Sequence, residues 1–298
     1  MAMMIATRDG ACAASAVGCA LAALYVWRCR CSRPLTSHPP LVGILGGLGP
    51  LASALLVRLL VKEAEGAGAS FDSDHPRFIL YQDPKLPNSR LAALGEGPTP
   101  VDGMVRAFRA LLLAGASEVC VCCNTAHPFA REAAARAGAP FLDMIEITAH
   151  AALERLASVP DAAPVRVGLL GTDATLRLGL YQHALAEAAT RLWGVARRLE
   201  VVVPDAAGVH AMQQCILQIK AGTTDGVGDR IEGVARALVV ECGAQCLITG
   251  CTELPTCFSE DSHPHFAVPI VSPVSTLAAA IVRRDLEGSG ENSHAERR

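Results

Sequence analysis

One strand-and-turn signature occurs twice in this chain, and any fold must accommodate both copies. Val42-Gly-Ile-Leu-Gly46 is echoed by Val167-Gly-Leu-Leu-Gly171. Gly115-Ala116 precedes Cys123 by the same spacing at which Gly243-Ala244 precedes Cys251. The separations Val42 to Cys123 and Val167 to Cys251 differ by three residues. In both halves an apolar run of strand length meets a glycine turn, helical periodicity follows, and a glycine stops the last helix before a second apolar run reaches the cysteine. Alternating strand and helix patterns predict an α/β fold with mostly parallel sheets flanked by helices. Two such lobes, packed about a pseudo-two-fold axis, bring equivalent strand ends face to face, with the active site in the cleft between them. Open α/β sheets place ligands at the carboxyl ends of their strands, so each wall of the cleft would carry one thiol.

The expected division is a leader, or membrane anchor, plus linker at 1–40, a first lobe at 41–158 and a second lobe at 159–270. A C-terminal helix at 271–287 packs back on the body, and a disordered tail covers 288–298. Strand patterns lie at 41–45, 78–81, 118–122, 141–145, 167–171, 200–203, 246–249 and 268–272. Helical periodicity covers 50–65, 101–114, 129–137, the stretch to about 156, 176–193, 209–220, 229–242 and 274–286. Residues 11–27 carry no charge and precede Arg28, Arg30 and Arg33. This run is at the short limit of a spanning helix. Basic residues after the run predict either a membrane contact with a cytosolic body or targeting to a plastid or mitochondrion; a secretory signal would carry them in front.

Composition narrows the partners. Of 298 residues 51% are hydrophobic and 18% charged, enough for a large core. Aromatics at 4% do not provide a stacking platform for single strands. A formal charge of −3 provides no basic field for nucleic acid. The expected partner is a small molecule. Twelve cysteines in a chain of this length do not make a disulfide scaffold. Cys120, Cys122 and Cys123 crowd one strand end, where alternation points neighbours to opposite faces. They read as thiols in a reducing compartment.

The chemistry of the repeat follows from its cysteines. Two thiols on opposite sides of one carbon can invert it without a cofactor: one as thiolate removes a proton and the other as thiol returns one. Helix N-termini beside Cys123 and Cys251 are expected to lower both thiol pKa values. Backbone N–H groups there, with Asn124, Thr125 and Thr252, are placed to hold a carboxylate. The glycine turn Gly46-Gly-Leu-Gly-Pro50 admits an anion at a helix N-terminus. Its spacing is not the dinucleotide fingerprint. His127, one helical turn after Cys123, reads as a surface or capping residue in preference to a thiol partner. Glu146 and Glu253 read as first-turn acids that favour the helix dipole. Cys122, Cys123 and His127 lack the fourth ligand and spacing of a metal site, so no metal is expected.

At these residues the chain resembles the aspartate/glutamate racemase superfamily, in its aspartate racemase branch. The matching stretches are Gly43 to Ala52, Cys123-Asn-Thr-Ala-His127, Met144-Ile-Glu146, Gly250-Cys-Thr-Glu-Leu-Pro255 and Val268-Pro-Ile-Val. The resemblance implies racemisation of a small amino acid without pyridoxal phosphate or another cofactor, usually in a homodimer. It implies Cys123 and Cys251 as acid/base thiols. It implies that Asn124, Thr125, Thr252 and the loop of Gly47, Leu48 and Gly49 surround the substrate carboxylate, with Thr172 a weaker candidate in the second lobe. Arg90 and Lys220 occupy places comparable to two cations that bind a side-chain carboxylate, so aspartate or glutamate leads as substrate. Pro87-Asn-Ser-Arg90 displaces the arginine by one position from the common Pro-Asp-Arg-Thr, and Ser272 replaces a frequent Asp. Alternatives are another isomerase of the superfamily, of maleate isomerase or hydantoin racemase type, and a two-lobed protein that binds an amino acid without turning it over.

Overall fold

Val42–Gly46 (β1) and Val165–Gly171 (β4), which carry the repeated signature, are the buried inner strands of two parallel sheets. In a computed structural model, which describes residues 40–159, 164–194 and 197–290, the first sheet has the order β2-β1-β3 and the second β5-β4-β6-β7. Here β2 is Phe78–Gln82, β3 Glu118–Val121, β5 Leu199–Val202, β6 Cys246–Gly250 and β7 Ile270–Val271. Phe141 adds one parallel bridge beside Val119. It stands in the first sheet where β7 stands in the second, so both lobes share one strand order. The apolar run at 11–27, the break at 160–163 and the residues from 291 onward lie outside the described residues. Among the described residues no helix is long and apolar enough to cross a membrane.

The repeated glycines have a packing reason. A Cβ on Gly43 would sit 3.0 Å from the Cβ atoms of Ala116 and Leu111. A Cβ on Gly168 would sit 3.2 Å from the Ala244 Cβ and 2.5 Å from Leu247. Both positions let the segment before a cysteine strand press directly on the central strand. The helices in chain order are Pro50–Gly66 (α1), Ser89–Leu94 (α2), Val101–Leu113 (α3), His127–Ala137 (α4), Met144–Arg155 (α5), Asp173–Arg177 (α6), Leu180–Trp193 (α7), Ala206–Lys220 (α8), Val227–Val240 (α9) and Pro273–Gly290 (α10).

Two of these helices are exchanged between the lobes. α5 follows the first sheet, yet its Ile145, Ala149 and Leu153 pack with Val167 and Leu169 of β4, Leu185 of α7 and Ile248 of β6. α10 follows the second sheet, yet its Val274, Leu277 and Ile281 pack with Leu56 and Leu60 of α1 and Ile44 of β1. The two helices touch through the Thr148 and Thr276 hydroxyls, 2.9 Å apart. A division at residue 158 therefore follows chain order and not packing, and both lobes belong to one compact unit, Pro39–Glu287.

Local chemistry moved three expected boundaries. The expected strand at 141–145 contracts to the Phe141 bridge, because Asp143 accepts from the N–H groups of Ile145 and Glu146 and starts α5. The helix expected at 176–193 is two helices, α6 and α7, separated at Gly179, whose φ of 61° lies in the left-handed region. α10 runs to Gly290, into the stretch expected as a tail.

The exchange makes each lobe's core depend on a helix from the other half. Leu153→Ala and Leu277→Ala, both at fully or almost fully buried positions, should each cost about 2–5 kcal/mol. Each should shift one cooperative denaturant transition, followed by circular dichroism. Two separable transitions, only one of which moves, would contradict the exchange.

Candidate active site

A cavity of about 820 Å³ opens where the carboxyl ends of the two sheets meet. Loops after β1, β2, β3, β4 and β6 line it, together with one side of α8. Every residue singled out above as a candidate lies on its wall: Gly47, Leu48, Gly49, Arg90, Cys123, Asn124, Thr125, Thr172, Lys220, Cys251 and Thr252. Gln213, Ser89 and Glu253 join them.

The Cys123 wall is built by alternation at the end of β3. Cys122 turns inward, its thiol 3.5 Å from the Ala52 carbonyl. Cys123 turns to the cavity and stays partly exposed. The N–H groups of Thr125 and Ala126 are directed at its sulfur. Withdrawal from water and the nearby Glu253 carboxylate nevertheless push its thiol pKa up to about 11, against the opposing effect of Lys220 and the two amides. His127 is buried and not a surface group, but it does cap a helix start, that of α5. Its Nδ1 donates to the Cys123 carbonyl at 2.8 Å and its Nε2 accepts from the Met144 N–H at 3.2 Å. That pairing requires the neutral ring, and burial lowers the His127 pKa accordingly. His127 thus ties the Cys123 turn to the start of exchanged helix α5.

The Cys251 wall departs from expectation. No α-helix opens after Cys251; a 3-10 turn at Leu254–Thr256 follows instead. Burial and Glu253 drive the Cys251 thiol well above its ordinary value, so the expected lowering is overturned at both cysteines. Glu253 is itself buried, only 3% exposed. Its Oε2 accepts from the Cys251 thiol at 3.1 Å and from the Thr252 hydroxyl at 3.4 Å. Its Oε1 lies 3.1 Å from the Lys220 ammonium. Burial disfavours that ammonium, but Glu253 and charge on the two cysteines outweigh it and hold the Lys220 pKa above the usual lysine value. The geometry makes Glu253 a hydrogen-bond acceptor for a thiol, where a first-turn acid was expected. Its adjacency to a cysteine was the one sequence signal for this role. Glu146, by contrast, is exposed in the first turn of α5.

Between the walls lie neutral donors and acceptors. Asn124 accepts from the Tyr181 hydroxyl at 2.6 Å, while its buried Nδ2 has no partner. Thr125, Thr172 and Thr175 place three hydroxyls within 2.8–3.1 Å of one another and stitch the two lobes beside the cavity. The glycine loop acts by shape. The Gly47 N–H donates to the Ser53 hydroxyl at 3.1 Å. A Cβ on Gly49, whose φ is 147°, would come within 2.3 Å of Glu253 Oε1. Only glycine allows the loop to approach that carboxylate so closely.

The two cations expected to hold a side-chain carboxylate are both engaged. Lys220 faces Glu253. Arg90 makes a bidentate pair with Asp173, Nε to Oδ1 at 2.8 Å and a terminal nitrogen to Oδ2 at 2.7 Å. Asp173 and Tyr181 carried no sequence signal, because the partners are remote in the chain. Among the described residues no group of three or more His, Cys, Asp or Glu side chains is arranged to hold a metal ion.

The family model described as Asp/Glu/Hydantoin racemase matches residues 45–281. The aspartate racemase of Picrophilus torridus is similar in structure, with a TM-score of 0.67 and 27% identity, over 83% of this chain and 94% of that one. An aspartate racemase homologue from Pyrococcus horikoshii OT3 shares the fold at a TM-score of 0.63 and 20% identity, over 83% and 99% of the two chains. The broad specificity amino-acid racemase RacX of Bacillus subtilis (strain 168) is 27% identical over 150 residues, 49% of this chain and 60% of that relative's length.

Raised thiol pKa values make a direct prediction. Below its pKa a thiol gains thiolate about tenfold per pH unit, and the thiolate is the nucleophile. Alkylation of Cys123 by iodoacetamide, read by mass spectrometry, should rise about tenfold per unit from pH 7 to 9. A plateau near neutrality would contradict the burial effect.

Proposed function

Because the chain belongs to the Asp/Glu/Hydantoin racemase family, in its aspartate racemase branch, we propose that it is an amino-acid racemase working by two-thiol proton transfer between Cys123 and Cys251, without pyridoxal phosphate. The observation that carries this reading is the Cys251 thiol on the Glu253 carboxylate, in the cavity that Cys123 also lines. Glu253 Oε2 takes the Cys251 proton, and Lys220 balances the charge. The Cys251 thiolate then removes the α-hydrogen from one face of the substrate. Cys123, held protonated by its raised pKa, delivers its proton to the opposite face. The product has inverted configuration. Cys123 is left as thiolate beside the Thr125 and Ala126 amides, the form that accepts the other enantiomer.

Two buried atoms without partners suit the zwitterion. Asn124 Nδ2 is a donor for the α-carboxylate and Gln213 Oε1 an acceptor for the α-ammonium. Positioning and fixed dipoles must supply most of the rate, because the α-hydrogen is a weak acid. A homodimer is part of the same reading: β2 is an edge strand of its sheet and leaves Leu80 and Tyr81 exposed for a second copy to cover.

Cys123→Ser and Cys251→Ser should each lower racemisation by at least about a hundredfold, the scale of a positioned acid or base. A chiral assay of amino acids incubated in deuterium oxide should find solvent deuterium at the α-carbon of the inverted product. Unlabelled product, or full inversion by either serine variant, would reject the mechanism.

A further inference from the structure

We infer that the cavity is built for amino acids with uncharged side chains, and that Asp173 sets this preference by occupying Arg90. The inference rests on the racemase reading above and concerns which substrates that site accepts. It departs from the acidic substrate that the sequence resemblance implies.

The argument is one of charge. Among the described residues the charged side chains on the cavity wall are Arg90, Lys220 and Glu253. Lys220 is paired with Glu253, which also accepts a hydrogen bond from the Cys251 thiol. Arg90 is the cation left to meet a second carboxylate, and Asp173 fills its fork in the geometry that a substrate carboxylate would adopt. Two cations are thus matched by two carboxylates of the chain itself. A zwitterion with an uncharged side chain leaves that balance intact. A dicarboxylate adds one negative charge beside Asp173, or displaces Asp173 and leaves it partly buried without its cation.

The Arg90–Asp173 pair is also built in from both ends. The Arg90 N–H is held by the Asn88 side chain at the start of α2. Asp173 opens α6, and its Oδ1 accepts from the Ala174 N–H at 2.7 Å. The adjacent Thr172 caps α6 through the Thr175 N–H. Helix starts on opposite lobes therefore fix both backbones, and the pair, with side chains 33% and 22% exposed, is not a loose surface contact. The rest of the wall suits an apolar side chain. Leu48, Leu51 and Leu86 come from the first lobe, and Ile216 and Leu217 from α8. The Arg90 anchor expected from sequence thus becomes the closed half of an internal pair.

The test measures kcat/KM for the purified protein with aspartate and glutamate and with methionine, leucine and glutamine. The wild-type protein should favour the uncharged group by about tenfold or more. Asp173→Asn, of equal size, should release Arg90 and move the acidic-to-uncharged ratio about tenfold toward the acids. A wild-type preference for aspartate or glutamate overturns the inference and leaves the racemase reading intact. Equal loss for every substrate in Asp173→Asn, with its melting temperature retained, removes Asp173 from the specificity role and overturns it too. If no amino acid is inverted, the racemase reading fails, and calorimetric titration of the wild-type protein decides the inference separately. Binding of methionine but not aspartate then supports it. The reverse, or binding of neither, rejects it.

Discussion

The buried carboxylate of Glu253 is the constraint around which the site is arranged. A carboxylate withdrawn from water requires compensation, and here it has a cation on one oxygen and two donors on the other. Each compensation has a consequence. Lys220 is drawn from α8 across the cavity. The Cys251 thiol points at a hydrogen-bond acceptor. Gly49 has no side chain because one would collide with the carboxylate. The negative charge of Glu253 raises the pKa of both thiols, but only Cys251 donates a hydrogen bond to it, so the two differ in their partners although their strands are equivalent. A pair of acid and base benefits from such a difference, since one thiol must be charged while the other is not.

Geometry at this scale depends on the two lobes holding a fixed separation. The exchanged helices provide it. α5 starts at the first sheet and packs on the second, and α10 does the reverse. His127 extends the arrangement into the site: it binds the Cys123 carbonyl on one side and the first amide of α5 on the other. The hydroxyls of Thr125, Thr172 and Thr175 and the Arg90–Asp173 pair add two further links across the cavity. Positioning of reacting groups to fractions of an ångström is where such a site gains its rate, and these links come from elements remote in sequence.

The cysteines were legible because the repeat is local in kind. Apolar strand, glycine and cysteine recur at matched spacing, and a parallel α/β arrangement puts strand ends on one side. The same logic placed Asn124, Thr125, Thr252 and the glycine loop on the cavity wall. It failed where a side chain's state depends on a partner elsewhere. Arg90 and Lys220 reach the cavity as expected, yet Asp173 and Glu253 engage them. The expected lowering of the thiol pKa values failed for a similar reason: helix starts and amides are local features, while burial and the Glu253 charge are not.

By itself, then, the sequence determined the alternation of strands and helices, the two-lobed plan, the thiol on each wall and the small polar residues beside them. Periodicity and glycine placement act through near neighbours, so they can be read along the chain. Only the tertiary structure decided that α5 and α10 change lobes, that the Cys251 thiol hydrogen-bonds to Glu253, and that Asp173 closes on Arg90. Those outcomes are set by burial and by Coulomb interactions at contact distance, between residues whose separation in the chain carries no trace of their meeting.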